Sequence, residues 1–292
     1  MAQLLGFTLL SALITGILLI PFIDFLYKVK LRRRDQTTKD FLNNNTPVFD
    51  KYNSWKVGTP FGGGILIIIV VTTLTLWAYG MFNVKINPWE VFLIFFTFIS
   101  FGLLGLYDDI KKLVHKDSSL FFGLRLRHKF LIQLGLALFI STILYYQLGY
   151  SFLFIRGFGL ASMGFLFIPF AALVIVSFTN AYNITDGLDG LASGLFLIAL
   201  LAFLSISSTQ LDFSLGIFIA FLTGSVAAFL YFNIYKARIW LGDVGSLSLG
   251  ASLALIGLLS GKTIALVVIG GVFILEVGSS LIQVLGKKFL KR

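Results

Sequence analysis

Three groups of acidic residues interrupt the long apolar runs of this chain. They are the adjacent pair Asp108-Asp109, the two carboxylates of Asn180-Ala-Tyr-Asn-Ile-Thr-Asp-Gly-Leu-Asp-Gly-Leu-Ala192, and Asp243 in Gly242-Asp-Val-Gly-Ser246. The second group places Asn183, Asp186 and Asp189 close together with Gly187 and Gly190 between them, and it contains no Lys or Arg. Polar segments at the ends of membrane helices normally carry basic residues. Carboxylates with no local counter-ion call for a bound cation or a donor-rich ligand.

The other polar positions support more than one reading. Asp108-Asp109-Ile-Lys-Lys112 closes an apolar run; it reads either as a solvated helix end paired with Lys111 and Lys112, or as a general base or metal-phosphate site. Adjacent residues point about 100° apart on a helix, so one carboxylate can face a pocket while the other meets a neighbour. Gly58-Thr-Pro-Phe-Gly-Gly-Gly64 opens another run. Its glycines let backbone N–H groups approach an anion, with Thr59 as a helix cap and Lys56 just upstream, or they let two helices pack closely. Arg125, Arg127, His128 and Lys129 either anchor a helix at the membrane surface or bind phosphate. Asn233 and Asp243 flank a basic loop; Asp243 suits a helix start as a cap as well as it suits a cation. Trp240 can stack on a ring or sit at the interface. Glu276, alone within a late apolar run, reads as a buried structural hydrogen bond.

The elements that position these residues are transmembrane helices. The chain has 292 residues, 58% hydrophobic and only 12% charged, with a mean hydropathy of +0.95. This is the composition of an all-α, polytopic membrane protein. About nine spans are expected, near 3–27, 62–80, 88–107, 130–148, 164–179, 190–208, 213–232, 244–260 and 264–285, forming one domain. The segment 149–163, with Gly157, Gly159 and alternating aromatics, predicts a small hairpin. With the amino terminus outside, every Lys and Arg except Lys85, Arg156 and Lys262 falls on the cytoplasmic side, which sets the topology. The same rule accounts for the net charge of +10, so nucleic-acid binding is set aside. No cysteine is present, and the two histidines are too few for a His-rich metal centre. The three acidic groups, the glycine motif and many basic residues therefore converge on the cytoplasmic face. A divalent cation with a phosphate-bearing substrate satisfies both signs, which points to phosphoryl or sugar-phosphate transfer.

In their order, these motifs resemble the polyprenyl-phosphate N-acetylhexosamine-1-phosphate transferase superfamily, and within it the phospho-N-acetylmuramoyl-pentapeptide transferases. The resemblance is carried by Gly58-Thr59-Pro60 with Gly62-Gly63-Gly64, by Asp108-Asp109-x-x-Lys112, by Asn180 to Ala192, and by Gly242-Asp-Val-Gly-Ser-Leu-Ser-Leu-Gly250; it covers nearly the whole chain. It implies that Asp108, Asp109 and Asp243 are the catalytic residues. The acidic pair acts as base, nucleophile or lipid-phosphate site, and Asp243 coordinates magnesium. Lys56, Thr59, Lys112, Lys129, Asn183, Asp186, Asp189 and Asn233 match substrate-binding positions, and Trp240 stands where the family usually has a Phe that can stack on uracil. The implied enzyme lies in the bacterial inner membrane. With Mg2+ it moves phospho-MurNAc-pentapeptide from UDP-MurNAc-pentapeptide to undecaprenyl phosphate, giving lipid I and UMP; a homodimer is left open. The rival readings are a UDP-GlcNAc transferase of the same superfamily, a membrane transporter and an inactive scaffold. The family has ten spans and a His-rich loop after the ninth. This sequence reaches Gly286-Lys-Lys-Phe-Leu-Lys-Arg292 where that loop is expected, with no His after His128. The expectation is a chain truncated at its carboxyl end.

Overall fold

The apolar runs fold as helices, which in hydrocarbon pair their backbone groups within a single segment. The computed structural model describes residues 1–32, 57–82, 87–114, 126–155, 159–210 and 213–290. Its helices are α1 (Ala2–Lys28), α2 (Gly63–Met81), α3 (Pro88–Val114), α4 (Leu126–Tyr146), α5 (Phe167–Thr185), α6 (Leu191–Gln210), α7 (Phe213–Asn233), α8 (Gly242–Leu259), α9 (Thr263–Ile269) and α10 (Gly271–Leu290). Among the described residues, α1 to α8 are each long and apolar enough to cross a membrane. The expected ninth span falls on α9 and α10, which meet at a bend of 68°. The break falls at Gly270-Gly271, and a Cβ at Gly270 would collide with the Phe178 ring. Paired glycines are a common cause of such kinks. The expected hairpin is β1 (Phe152–Ile155) against β2 (Gly159–Ser162), antiparallel with Phe152 opposite Ser162.

Two helices form the centre. In α8 every residue from Val244 to Leu259 is buried, and α7 is buried over most of its length. Helices this apolar on all sides belong inside a bundle. Helix α8 packs chiefly on α3, α5 and α2, and α7 on α1, α6 and α2. Lipid tails are as apolar as Leu, so association relies on close contact through small residues and on interhelical hydrogen bonds. A Cβ at Gly224 would strike the main chain of Thr8 and Ala12, which brings α7 against α1. Ser11 Oγ donates to the Phe221 carbonyl at 2.6 Å, and Thr15 Oγ1 to Ser225 Oγ at 2.9 Å, across the same seam. Gly250 rests on Phe178 and Thr179 of α5, while Gly64 meets Gly245, joining α2 to α8. On α3, Gly105 abuts the main chain of Asp243 and Val244, and the Phe98 carbonyl accepts from Ser248 Oγ at 2.6 Å.

Counting spans from the amino terminus, the ends of α1, α3, α5 and α7 and the starts of α2, α4, α6 and α8 share one side of the bundle. The three acidic groups Asp108-Asp109, Asp186 with Asp189, and Asp243 lie at that end. Glu276 is half-buried, and its backbone carbonyl accepts a hydrogen bond from Ser279 Oγ at 3.0 Å.

Candidate active site

Helix α3 does not stop at residue 107, as its apolar run suggests. It continues to Val114 and carries Asp108, Asp109 and Lys112 as helical residues. Lys112 follows Asp108 by one turn, so both project from one face. Its Nζ lies 3.1 Å from Asp108 Oδ2, 3.8 Å from Asp109 Oδ1 and 2.8 Å from Asp243 Oδ2. Lys129, in the first turn of α4, completes the cluster at 2.6 Å from Asp243 Oδ2 and 3.2 Å from Asp108 Oδ2. Asn183, near the end of α5, donates to Ser246 Oγ at 2.6 Å and to Asp243 Oδ1 at 3.3 Å. Three carboxylates and two ammonium groups thus come from α3, α4 and α8, with an amide from α5.

The surroundings separate the members of this network. The side chains of Asp108 and Asp109 are 4% and 7% exposed, that of Asp243 17% and that of Lys112 32%. Asp243 and Lys112 therefore form the open side. Asp109 is turned away from it: its Oδ2 accepts the Val244 N–H at 3.1 Å, so its charge closes the amino-terminal end of α8. Asp243 does not cap α8. The N-cap position is Leu241, with no side-chain cap, and the Asp243 carboxylate goes to the lysines and Asn183 instead.

The glycine motif serves packing. The N–H groups of Gly62 and Gly63 donate to the Trp240 carbonyl at 3.1 and 2.9 Å, and that of Gly64 to the Leu241 carbonyl at 3.0 Å. The donors that an anion would use are already paired. Thr59 does not cap α2 either, because the N-cap position is Gly62, which has a left-handed backbone at φ 106°. Lys56 lies outside the described residues.

A second constellation sits beside the first, in the turn between α5 and α6. The Asp189 Oδ2 accepts the Ala237 N–H at 3.1 Å, tying this turn to the loop before α8. Asn233 is 1% exposed. Its Oδ1 accepts from Gly190 N–H and Ser193 Oγ at 3.2 Å each, and its Nδ2 donates to the Ile239 carbonyl at 3.0 Å. It braces the site from behind, with both ends of its amide engaged. Asp186 ends α5 and is half-buried. Trp240 is buried, 7% exposed, and its main chain is bonded to Pro60, Gly62 and Gly63, so its ring stands in the wall rather than open for stacking.

Sequence reasoning missed two contributors. Ser246 orients Asn183 and follows Asp243 by three residues, one helical turn. Gly105 precedes Asp109 by four and lets α3 touch Asp243. Both spacings are visible in the sequence, but the contact across helices is not.

Among the described residues, no three Asp, Glu, His or Cys side chains are grouped so as to hold a metal unaided. Magnesium, however, usually takes only one or two protein carboxylates and completes its shell with water and substrate phosphates. The chemistry of the donor set fits that pattern. Asp243 is the most exposed of the three carboxylates, and one of its oxygens already gathers two ammonium groups.

A helical membrane bundle with an acid–lysine cluster at one end defines a polytopic protein built to handle charged groups at the membrane surface. The profile of glycosyl transferase family 4 matches residues 91–261, a stretch containing every residue of the network. The chain is similar to the phospho-N-acetylmuramoyl-pentapeptide-transferase of Bacillus pumilus (strain SAFR-032), 33% identical over 288 residues that cover 98% of this chain and 84% of that protein. It is likewise similar to those of Geobacillus sp. (strain WCH70), 37% identical over 285 residues with 96% and 82% covered, and Bacillus subtilis (strain 168), 34% identical over 288 residues with 98% and 84% covered. The chain belongs to glycosyl transferase family 4 and, within it, to the family of the phospho-N-acetylmuramoyl-pentapeptide-transferases.

Proposed function

We propose that the chain transfers phospho-MurNAc-pentapeptide from UDP-MurNAc-pentapeptide to undecaprenyl phosphate, at the cytoplasmic face of the bacterial inner membrane. An oxygen of the lipid phosphate attacks the sugar-linked phosphorus of the donor. The bond from that phosphorus to the bridging oxygen breaks, and UMP leaves with the electron pair. The observation that carries this reading is the cluster in which Lys112 and Lys129 both contact Asp243 Oδ2. Phosphoryl transfer asks mainly for positioning and for neutralised charge, and this cluster offers both signs in one place.

Asp108, and not Asp109, is assigned to the lipid phosphate, because Asp109 Oδ2 is engaged by the Val244 N–H. Asp108 orients that phosphate and takes any remaining proton. Lys112 and Lys129 bind phosphate oxygens, and Asn183 holds Asp243 in place. Magnesium would be held by Asp243 and would neutralise the pyrophosphate when bound.

The test is an incubation with donor labelled on the sugar, with and without undecaprenyl phosphate. Label should move to the lipid, with UMP formed only when lipid is present. Stoichiometric UMP release without lipid, with label retained on Asp108 or Asp109, would replace the direct attack by a covalent aspartyl route.

A further inference from the structure

A cleft of about 610 Å3 opens between α1 and the end of α7, and no residue of the acid–lysine network lines it. One wall is a single face of α1: Ile20, Ile23, Asp24 and Tyr27, spaced by helical turns. The other is Tyr231, Phe232 and, beyond α7, Arg238. Both walls lie at the end of the bundle that carries the acidic groups, the level of the lipid headgroups in the inner leaflet.

Two charges stand out in this apolar surface. The Arg238 guanidinium lies over the Phe232 ring at 4.4 Å and the Tyr231 ring at 4.9 Å, and its Nη2 donates to the Tyr231 carbonyl at 3.4 Å. A guanidinium has five N–H donors in a fixed plane, so stacking presents the remaining ones in a set direction. Asp24 is exposed on α1, and among the described residues it makes no salt bridge, although Arg238 lines the same cleft.

These charges select the occupant. An anion alone would suit Arg238 and be repelled by Asp24; an amine alone would meet the reverse; an apolar molecule would leave both unmet. A ligand carrying both signs on an apolar body satisfies the two ends and the floor together. We propose that this cleft binds one inner-leaflet phospholipid with a zwitterionic, amine-bearing headgroup, its phosphate on Arg238, its ammonium on Asp24 and its acyl chains along Ile20 and Ile23. The site touches the catalytic region at Ala237, which also lines the cleft and donates its N–H to Asp189. A lipid seated there would steady the loop that leads into α8.

The test uses the full chain purified in detergent and native mass spectrometry with phosphatidylethanolamine or phosphatidylglycerol added at equal concentration; it does not depend on transferase activity. The amine lipid should be retained with a preference of roughly tenfold, the worth of about one charge-assisted hydrogen bond. Asp24→Asn should erase that preference without lowering phosphatidylglycerol binding, and Arg238→Gln should weaken both lipids. If Arg238→Gln does not fold, Arg238→Lys, which keeps the charge but loses the planar fork, should still weaken both lipids. Equal retention of the two lipids by the unaltered chain would overturn the proposal. So would a preference that survives Asp24→Asn, lipid binding indifferent to changes at Arg238, or a dimer that masks the cleft and dissociates on these substitutions while lipid binding stays unchanged.

Discussion

At the residue scale, the adjacent carboxylates Asp108 and Asp109 do different work because a helix turns about 100° between them. Asp109 reaches the amino-terminal end of α8, and Asp108 faces Lys112 and Lys129. Asp109→Ala should therefore lower stability by about 1 kcal/mol, the usual cost of losing a helix cap, read as a fall in the thermal midpoint in detergent. Asp109→Asn should recover much of it, since an amide oxygen also accepts the Val244 N–H. Asp108→Asn should leave the protein folded, because both lysines still meet Asp243, and should slow transfer by about 10²–10⁴-fold, the range for a lost general base. Unchanged transfer in Asp108→Asn, or loss of rate confined to Asp109, would reverse the assignment. The sequence made the chemistry of these residues legible, since carboxylates and lysines amid hydrocarbon are conspicuous. It could not show which carboxylate faces which partner, because Val244 and Lys129 are distant in the chain and meet only through packing. For the same reason Asn233 and Trp240, polar or aromatic beside the motif, read as ligand-facing, whereas burial and main-chain pairing place them in the supporting wall.

At the element scale, the position of α8 decides the site, and glycines set that position. Gly105 of α3 and Gly64 of α2 each lie where a Cβ would collide with the main chain at the start of α8. Gly105→Ala should push α3 from Asp243, costing about 1–3 kcal/mol as an overpacked contact does, and should reduce transfer more than an alanine at Gly80, where a Cβ meets nothing within 4 Å. Thermal midpoints and transfer rates of the two variants check this; equal effects would mean that the close approach is unimportant. The helices themselves were readable from hydropathy, and the hairpin from its glycines and aromatics. Two features were not. Helix α3 runs past its apolar stretch to Val114, where Asp108, Asp109 and Lys112 find partners on α4 and α8. The break at Gly270 depends on the Phe178 ring of another helix, a contact that hydropathy does not encode. The glycine motif shows the same limit: its N–H groups suit an anion by sequence, but they donate to the carbonyls of Trp240 and Leu241.

At the scale of the whole molecule, the charge asymmetry puts the ends of α1, α3, α5 and α7 in the cytoplasm, together with the acid–lysine cluster. The chain has no cysteine, so single cysteines report cleanly. Tyr235→Cys, at a side chain 71% exposed beyond α7, should label only from the cytoplasmic side, and Leu160→Cys, also 71% exposed in β2, only from outside. The opposite pattern would invert the topology and remove the cluster from the side where a UDP-linked donor is found. The central claim is that the cluster around Asp243 is where the phospho-sugar is transferred. Its most direct test is lipid-dependent UMP release from UDP-MurNAc-pentapeptide, followed as magnesium is titrated, in the unaltered chain and in Asp243→Asn, a nearly isosteric change. Saturable, magnesium-dependent release in the first and a loss of at least about 10²-fold in the second, in protein that remains folded, is the predicted result. Release that persists in Asp243→Asn with the same magnesium dependence would contradict it.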